Sequence, residues 1–201
     1  MLTVALTGGI ATGKSYVLER FRRRGAACLD ADELAHGVTG AGTEATHAIA
    51  ARFGAGVLDS TGAVDRKKLG PIVFADEAAR RDLEAIVHPA VHRAIAAGLR
   101  AFELTGSAIA IVDVPLLYET GGETRFSRVV ATVCTPATQL ARLRARGLSE
   151  EEARQRLAAQ MPAHEKAARA DFVVTTDGAF PETDAQVEAI WRQLEADVRR
   201  S

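Results

Sequence analysis

Apolar and polar positions along the chain fall into two periods. Five short apolar runs, at residues 3–7, 26–30, 108–114, 128–135 and 172–176, lack the alternation of a half-exposed strand. Near-continuous apolar runs of this length fit strands buried on both faces, as in a parallel sheet. Between them the spacing becomes helical. Residues 15–24 put Leu18 and Phe21 on one side, and Val187, Ile190, Trp191, Leu194 and Val198 repeat at helical intervals near the end, so the last helix should dock on the core. Strands alternating with helices predict an α/β fold around a five-stranded parallel sheet with right-handed crossovers.

The alternation is broken twice. Residues 33–106 separate the second and third runs, which is too long for one crossover helix and too helical for a loop. The segment reads as an inserted helical subdomain. A second insertion, 137–168, is rich in Arg, Glu and Ala and carries Arg142, Arg144, Arg146, Arg154 and Arg156. The expected organisation is a core of residues 1–33, 105–136 and 169–201, a helical subdomain at 34–104 and a lid at 137–168.

Composition adds mainly exclusions. With 201 residues, 47% hydrophobic and 25% charged, the chain is long enough for a real core. A net charge of −1 gives no global bias toward nucleic acid or an anionic membrane. No apolar run reaches the length of a membrane span. The start reads as a strand rather than a basic segment followed by an apolar stretch, so no secretory leader is expected. Cys28 and Cys134 both fall in apolar runs and read as buried reduced thiols. A cytoplasmic enzyme fits this set. Asparagine is absent, which rules out the Asn-Lys-x-Asp of guanine-specific switches and the catalytic-loop Asn of protein kinases.

The first apolar run leads into Gly8-Gly-Ile-Ala-Thr-Gly13-Lys14-Ser15. Gly-x-x-x-x-Gly-Lys-Ser between a strand and a helix is a phosphate-binding P-loop, although a tight glycine turn capping a helix would share part of the pattern. Its backbone N–H groups and the helix start cradle a polyphosphate, with Lys14 on the β- and γ-phosphates and the Ser15 hydroxyl on Mg²⁺. Asp30 and Asp32 follow the second run, where an open parallel sheet lines its ligand crevice. A carboxylate there can accept a proton from an attacking hydroxyl, and Asp32 could equally cap the helix beginning near residue 33. Asp113, at the end of the third run, resembles the carboxylate that reaches Mg²⁺ in P-loop proteins, or is a hydrogen-bonded strand-end Asp. Arg142 and Arg146 are four apart, share a helix face and could clamp a transferring phosphoryl group, though arginines this dense often form a solvated face. His88 and His92 have the spacing of a metal pair, but no Glu follows His88 and no Cys is near. His88-Pro89 therefore reads as a polar helix start.

Taken together, these pieces resemble the dephospho-coenzyme A kinase family. The resemblance runs in order through Leu6-Thr-Gly-Gly-Ile10, Asp30-Ala-Asp32, Ile86-Val-His-Pro89 and Asp113-Val-Pro-Leu-Leu-Tyr-Glu119. It continues with Gln139, Arg142 and Arg146, Leu148-Ser-Glu-Glu-Glu-Ala153, Gln160-Met161, Glu165-Lys166 and Ala170-Asp171. It implies a P-loop kinase with a nucleoside-monophosphate-kinase-like sheet, a helical acceptor-binding insert and a helical lid. The implied reaction is ATP- and Mg²⁺-dependent phosphorylation of the ribose 3′-hydroxyl of dephospho-coenzyme A.

Carried onto this chain, the resemblance puts ATP on Gly8, Gly9, Ala11, Thr12, Gly13, Lys14, Ser15 and Tyr16, and Mg²⁺ on Ser15 and Asp113. It makes Asp32 the base, Lys14, Arg142 and Arg146 the stabilisers of the transferred charge, and His88, Arg93, Leu116 and Glu119 contacts of the acceptor. The expected partner is this small molecule alone, without nucleic acid or membrane, in a monomer or weak homo-oligomer. Two departures stand out. Ala11 occupies a position where the family often has Gly, and Thr175-Thr-Asp-Gly178 replaces a motif that often carries an adenine-side Asn. The alternatives are another small-molecule or nucleotide kinase of the same fold, or an ATP-dependent binding or switch protein.

Overall fold

The computed structural model describes residues 1–200. In chain order the elements are β1 (Leu2–Gly8), α1 (Lys14–Arg23), β2 (Ala27–Asp30), α2 (Ala31–Val38), α3 (Glu44–Phe53), α4 (Arg66–Ala75) and α5 (Glu77–Leu104). They continue with β3 (Ile109–Asp113), β4 (Arg128–Val133), α6 (Pro136–Ala145), α7 (Glu150–Ala158), α8 (Ala163–Arg169), β5 (Phe172–Thr175) and α9 (Phe180–Arg200). The chain forms two compact units, Met1–Leu29 with the chain from Ala101 onward, and Asp30–Arg100.

The first unit is built on a five-stranded sheet in the order β2-β3-β1-β4-β5. β1 pairs in parallel with β3, Leu6 opposite Asp113, and with β4, Gly8 opposite Thr132. β5 extends the sheet in parallel with β4. Val4 and Leu6 of β1 enter a core shared with Ile111, Val130, Phe21 of α1, and Val187, Ile190, Trp191 and Leu194 of α9. The intervening Ala5 faces the opposite side, in a cluster with Leu117, Tyr118 and Val129. Both faces of the strand are therefore apolar, the physical reason its sequence does not alternate. Each fully buried aliphatic side chain on α9 contributes about 2 kcal/mol. That burial, more than helix propensity, holds the last helix to the sheet.

In the second unit, α3, α4 and α5 pack around Ile49, Val57 and Leu69, with Val73, Leu83 and Val87 against them. Side-chain caps set its helix starts: Asp30 for α2, Thr43 for α3 and Asp65 for α4.

Three sequence expectations change. The cap of α2 is Asp30, which accepts from the Asp32 and Glu33 N–H groups at 2.8 and 3.2 Å, so Asp32 is not a cap. His88-Pro89 is not a helix start but lies mid-way in the 28-residue α5. Pro89 has no N–H for the Ala85 carbonyl one turn earlier, yet flanking turns keep the helix intact. Cys134 falls one residue beyond β4, where it is still buried, whereas Cys28 is only half-buried; both cysteines are free thiols.

Candidate active site

In the first unit the site begins at the turn from β1 into α1. Gly8 (φ 152°) is packed so closely that a Cβ would strike the Thr132 side chain and sit 2.7 Å from its carbonyl oxygen. Gly13 (φ 88°) caps α1 in the left-handed region, where glycine carries no steric cost. Ala11 is the one described non-glycine residue with positive φ, at 61°. The departure seen in the sequence is therefore accommodated by forcing an alanine into the glycine-favoured conformation.

Side chains from distant elements anchor the loop. Gln139 on α6 donates to the Ile10 carbonyl at 2.7 Å. Arg142 donates to the Ala11 carbonyl at 3.1 Å and to Thr176 Oγ1 at 3.0 Å and its carbonyl at 2.5 Å. Thr176, just past β5, donates to the Thr12 carbonyl at 2.8 Å. Thr12 Oγ1 donates to the Gly9 carbonyl and lies 2.7 Å from Thr132 Oγ1. Four consecutive carbonyls, of residues 9–12, thus accept hydrogen bonds from side chains, which favours loop N–H groups being left for a bound anion. Gln160 Oε1 accepts from the Ile10 N–H at 2.9 Å, so that donor is already used. Leu143 and Ala153 pack on the Ala11 methyl group, which joins α6 and α7 to the loop.

Lys14 and Ser15 are the first residues of α1; Lys14 is half-buried, Ser15 is exposed, and neither side chain forms a hydrogen bond or ion pair among the described residues. Asp113 ends β3 and is buried. A divalent cation fits this donor set. Mg²⁺ keeps several waters and takes one or two protein oxygens plus phosphates. A cluster of three acidic or His ligands, which is absent among the described residues, is not needed.

Beside the loop is a cavity of about 300 Å³ lined by Ala11, Tyr16, Arg142, Arg146, Thr176 and Phe180, among others. Tyr16 stacks on Phe180 with centroids 4.6 Å apart, and its hydroxyl donates to Asp184 at 2.8 Å. The Arg20 guanidinium lies 4.5 Å from the Tyr16 ring centroid. Arg142 and Arg146 do converge, but differently: Arg142 is consumed in supporting the loop, while the Arg146 side chain has no partner among the described residues. Asp177 binds α6 to the end of β5 through the Thr135 N–H and the Thr135 and Thr138 hydroxyls. The Thr138 hydroxyl and then the Thr135 N–H hold its carboxyl below the usual carboxylate range.

Glu119 is engaged within the fold while its side chain stays partly exposed. It pairs with the fully buried Lys166 ammonium at 2.7 Å and accepts the Met161 N–H at 3.1 Å. Lys166 also donates to the Pro115 carbonyl at 2.7 Å. Burial pushes the Lys166 ammonium below the ordinary lysine range against the opposing pull of Glu119. Leu116, from the same motif, is 44% exposed.

In the second unit, Asp32 is exposed in the first turn of α2, with no hydrogen bond or ion pair to its carboxylate among the described residues. His88 is half-buried, 6.4 Å from the His92 ring. Arg93 pairs with Glu44 at 3.1 Å. Five residues apart, His88 and Arg93 are about 140° apart around α5, so they do not share a face.

The sequence offered no role for Phe180 or Thr132 and showed Thr176 and Asp177 only within the departure from an adenine-side motif; all four act through contacts far along the chain without a local pattern. Gln139 was findable, because with Arg142 and Leu143 it forms an i, i+3, i+4 face toward the loop.

The sheet order, the loop and its buried carboxylate define a P-loop kinase. The dephospho-CoA kinase family model matches residues 2–182, and the chain belongs to that family. A dephospho-CoA kinase of Symbiobacterium thermophilum is 47% identical over 193 residues, covering 96% of this chain and 81% of that protein. Among solved structures, TT1252 from Thermus thermophilus superposes with a TM-score of 0.81 at 30% identity, covering 96% of this chain and 97% of its own. Dephospho-CoA kinase from Campylobacter jejuni gives 0.72 at 26% identity, with 96% of each chain covered.

Proposed function

We propose that this chain transfers the γ-phosphoryl group of ATP to the ribose 3′-hydroxyl of dephospho-CoA, giving CoA and ADP, the last step of CoA synthesis. The observation that carries this reading is the braced phosphate loop in a chain of this family. The loop N–H groups and the α1 terminus hold the β- and γ-phosphates, and Lys14 follows the charge that builds on the transferred group. Ser15 and Asp113 hold a magnesium ion, which when bound neutralises phosphate charge. Tyr16 and Phe180 supply the apolar wall for adenine, with backbone groups near Thr176 reading its edge. Arg146 reaches the phosphates from the 137–168 segment, which serves as the lid and excludes water.

The second unit, with His88, binds the acceptor, and Asp32 is the general base; Arg93, paired with Glu44 on another face of α5, is left out of that contact. Its exposed, unengaged carboxylate directly follows a strand end, where such sheets put ligand-facing residues. Proton removal by a positioned carboxylate is worth about 10²–10⁴-fold in rate. Glu119 acts indirectly, by holding Lys166.

A panel of acceptors tests the reading. The purified protein with ATP and Mg²⁺ should phosphorylate dephospho-CoA far faster than AMP or shikimate, and Asp32→Ala should lower that turnover about 100-fold or more with ATP affinity kept. Preference for another acceptor would replace the substrate assignment. ATP binding without transfer to any acceptor would point to a switch protein. Wild-type turnover in Asp32→Ala would remove it from the chemistry.

A further inference from the structure

The second unit contains a cavity of about 300 Å³ that none of these roles uses. Ile49, Leu69, Val73, Leu83 and Val87 give it apolar walls, and Ala35 of α2 and Thr39, the residue that ends α2, close one side. Two of its lining residues stand apart. Phe74 is 91% exposed, a full aromatic ring left in water although its burial would stabilise the fold. Arg66 is the only charged residue lining the cavity, and it has no ion pair or side-chain hydrogen bond among the described residues. An apolar pocket with an exposed ring and one unspent cation complements a ligand in which an anionic group is joined to an apolar arm.

The helix geometry ties this pocket to the base. Ala35 and Thr39 follow Asp32 by three and seven residues, so all three lie within about 60° on one face of α2. From Asp32 to Thr39 the helix rises about 10 Å, room for a ribose and a pyrophosphate between a hydroxyl at Asp32 and an arm in the pocket. Leu34, Gly37 and Val38 line a different cavity on the far side of α2, and its cation, Arg93, is already paired with Glu44.

We propose that the cavity between α2, α4 and α5 is the subsite for the pantetheine arm of the acceptor. Arg66 holds the pyrophosphate and Phe74 packs on the apolar part of the arm, its geminal dimethyl carbon and thioethyl end. The proposal rests on the assignment of the second unit to acceptor binding.

Two measurements test it. The first compares dephospho-CoA with the methyl ester of ADP, an acceptor with the same nucleoside and pyrophosphate but no arm. Phe74 is solvent-exposed, so its truncation leaves the fold intact. Phe74→Ala should raise KM for dephospho-CoA about tenfold, with kcat, KM for ATP and KM for the methyl ester held within about twofold. Arg66→Ala should raise KM for both acceptors, with partial rescue by Arg66→Lys. An unchanged KM in Phe74→Ala, or an equal rise for both acceptors, overturns the subsite.

The second measurement needs no turnover. Titration of 4′-phosphopantetheine into the ¹⁵N-labelled protein should shift the amides of Val73, Leu83 and Val87, and Phe74→Ala should abolish the shifts. No shift in the wild-type protein also overturns the subsite. Shifts in a protein that does not phosphorylate dephospho-CoA would sink the functional reading and leave the pocket standing.

Discussion

Ala11 shows at one position how packing can hold a disfavoured backbone. Its φ of 61° costs about 1–2 kcal/mol for a residue with a Cβ. Against this, the methyl group is buried on Leu143 and Ala153, worth about 0.8 kcal/mol. A glycine there would also lose about 0.4–1 kcal/mol through the greater freedom of its unfolded chain. The terms nearly cancel. Ala11→Gly should therefore shift unfolding stability by less than about 1 kcal/mol in urea denaturation. A gain of several kcal/mol would mean that the strain is uncompensated. This position was legible in the sequence, because the P-loop pattern says where glycine is usual. Thr176 was not. Its hydroxyl reaches the Thr12 carbonyl from 164 residues along the chain, and no local spacing encodes such a contact.

At the scale of elements, α6 does two jobs with one arginine pair. The i, i+4 spacing of Arg142 and Arg146 implied one shared role, yet Arg142 is bonded to the loop and to Thr176, while the Arg146 side chain has no partner among the described residues. Arg142 ties the loop at Ala11 to the end of β5 at Thr176. The two should separate in experiment. Arg142→Ala loses charge-assisted hydrogen bonds and should destabilise the fold by about 2 kcal/mol, as well as raise KM for ATP. Arg146→Ala should leave the urea midpoint unchanged and lower kcat. Equal effects on stability would contradict this division. Strand positions were readable to within one or two residues from apolar runs, the largest gap being at the end of β4. Helix starts were less so, since Asp30 and Asp32 are both good caps and only the backbone geometry selects Asp30. Pro89 misled for a related reason: proline favours a first turn, but a long helix can carry one inside.

In the molecule as a whole, two compact units hold different groups of candidate residues. The first holds the phosphate loop, the buried Asp113, the Tyr16–Phe180 pair and the two arginines. The second holds Asp32, the His88 region and the apolar cavity with Arg66. The sequence announced the insertion by its length and helical spacing alone. The apolar cavity was not legible, because its walls read as ordinary helix core until it is known that Phe74 is exposed and that Arg66 has no partner among the described residues.

The central claim is phosphoryl transfer to one hydroxyl. It is tested most directly by ³¹P NMR and mass spectrometry of the product formed from dephospho-CoA, ATP and Mg²⁺. One new phosphomonoester on the ribose 3′-oxygen, formed in step with ADP, is the expected product. ADP without a new phosphomonoester, or phosphate on any other oxygen, would contradict it.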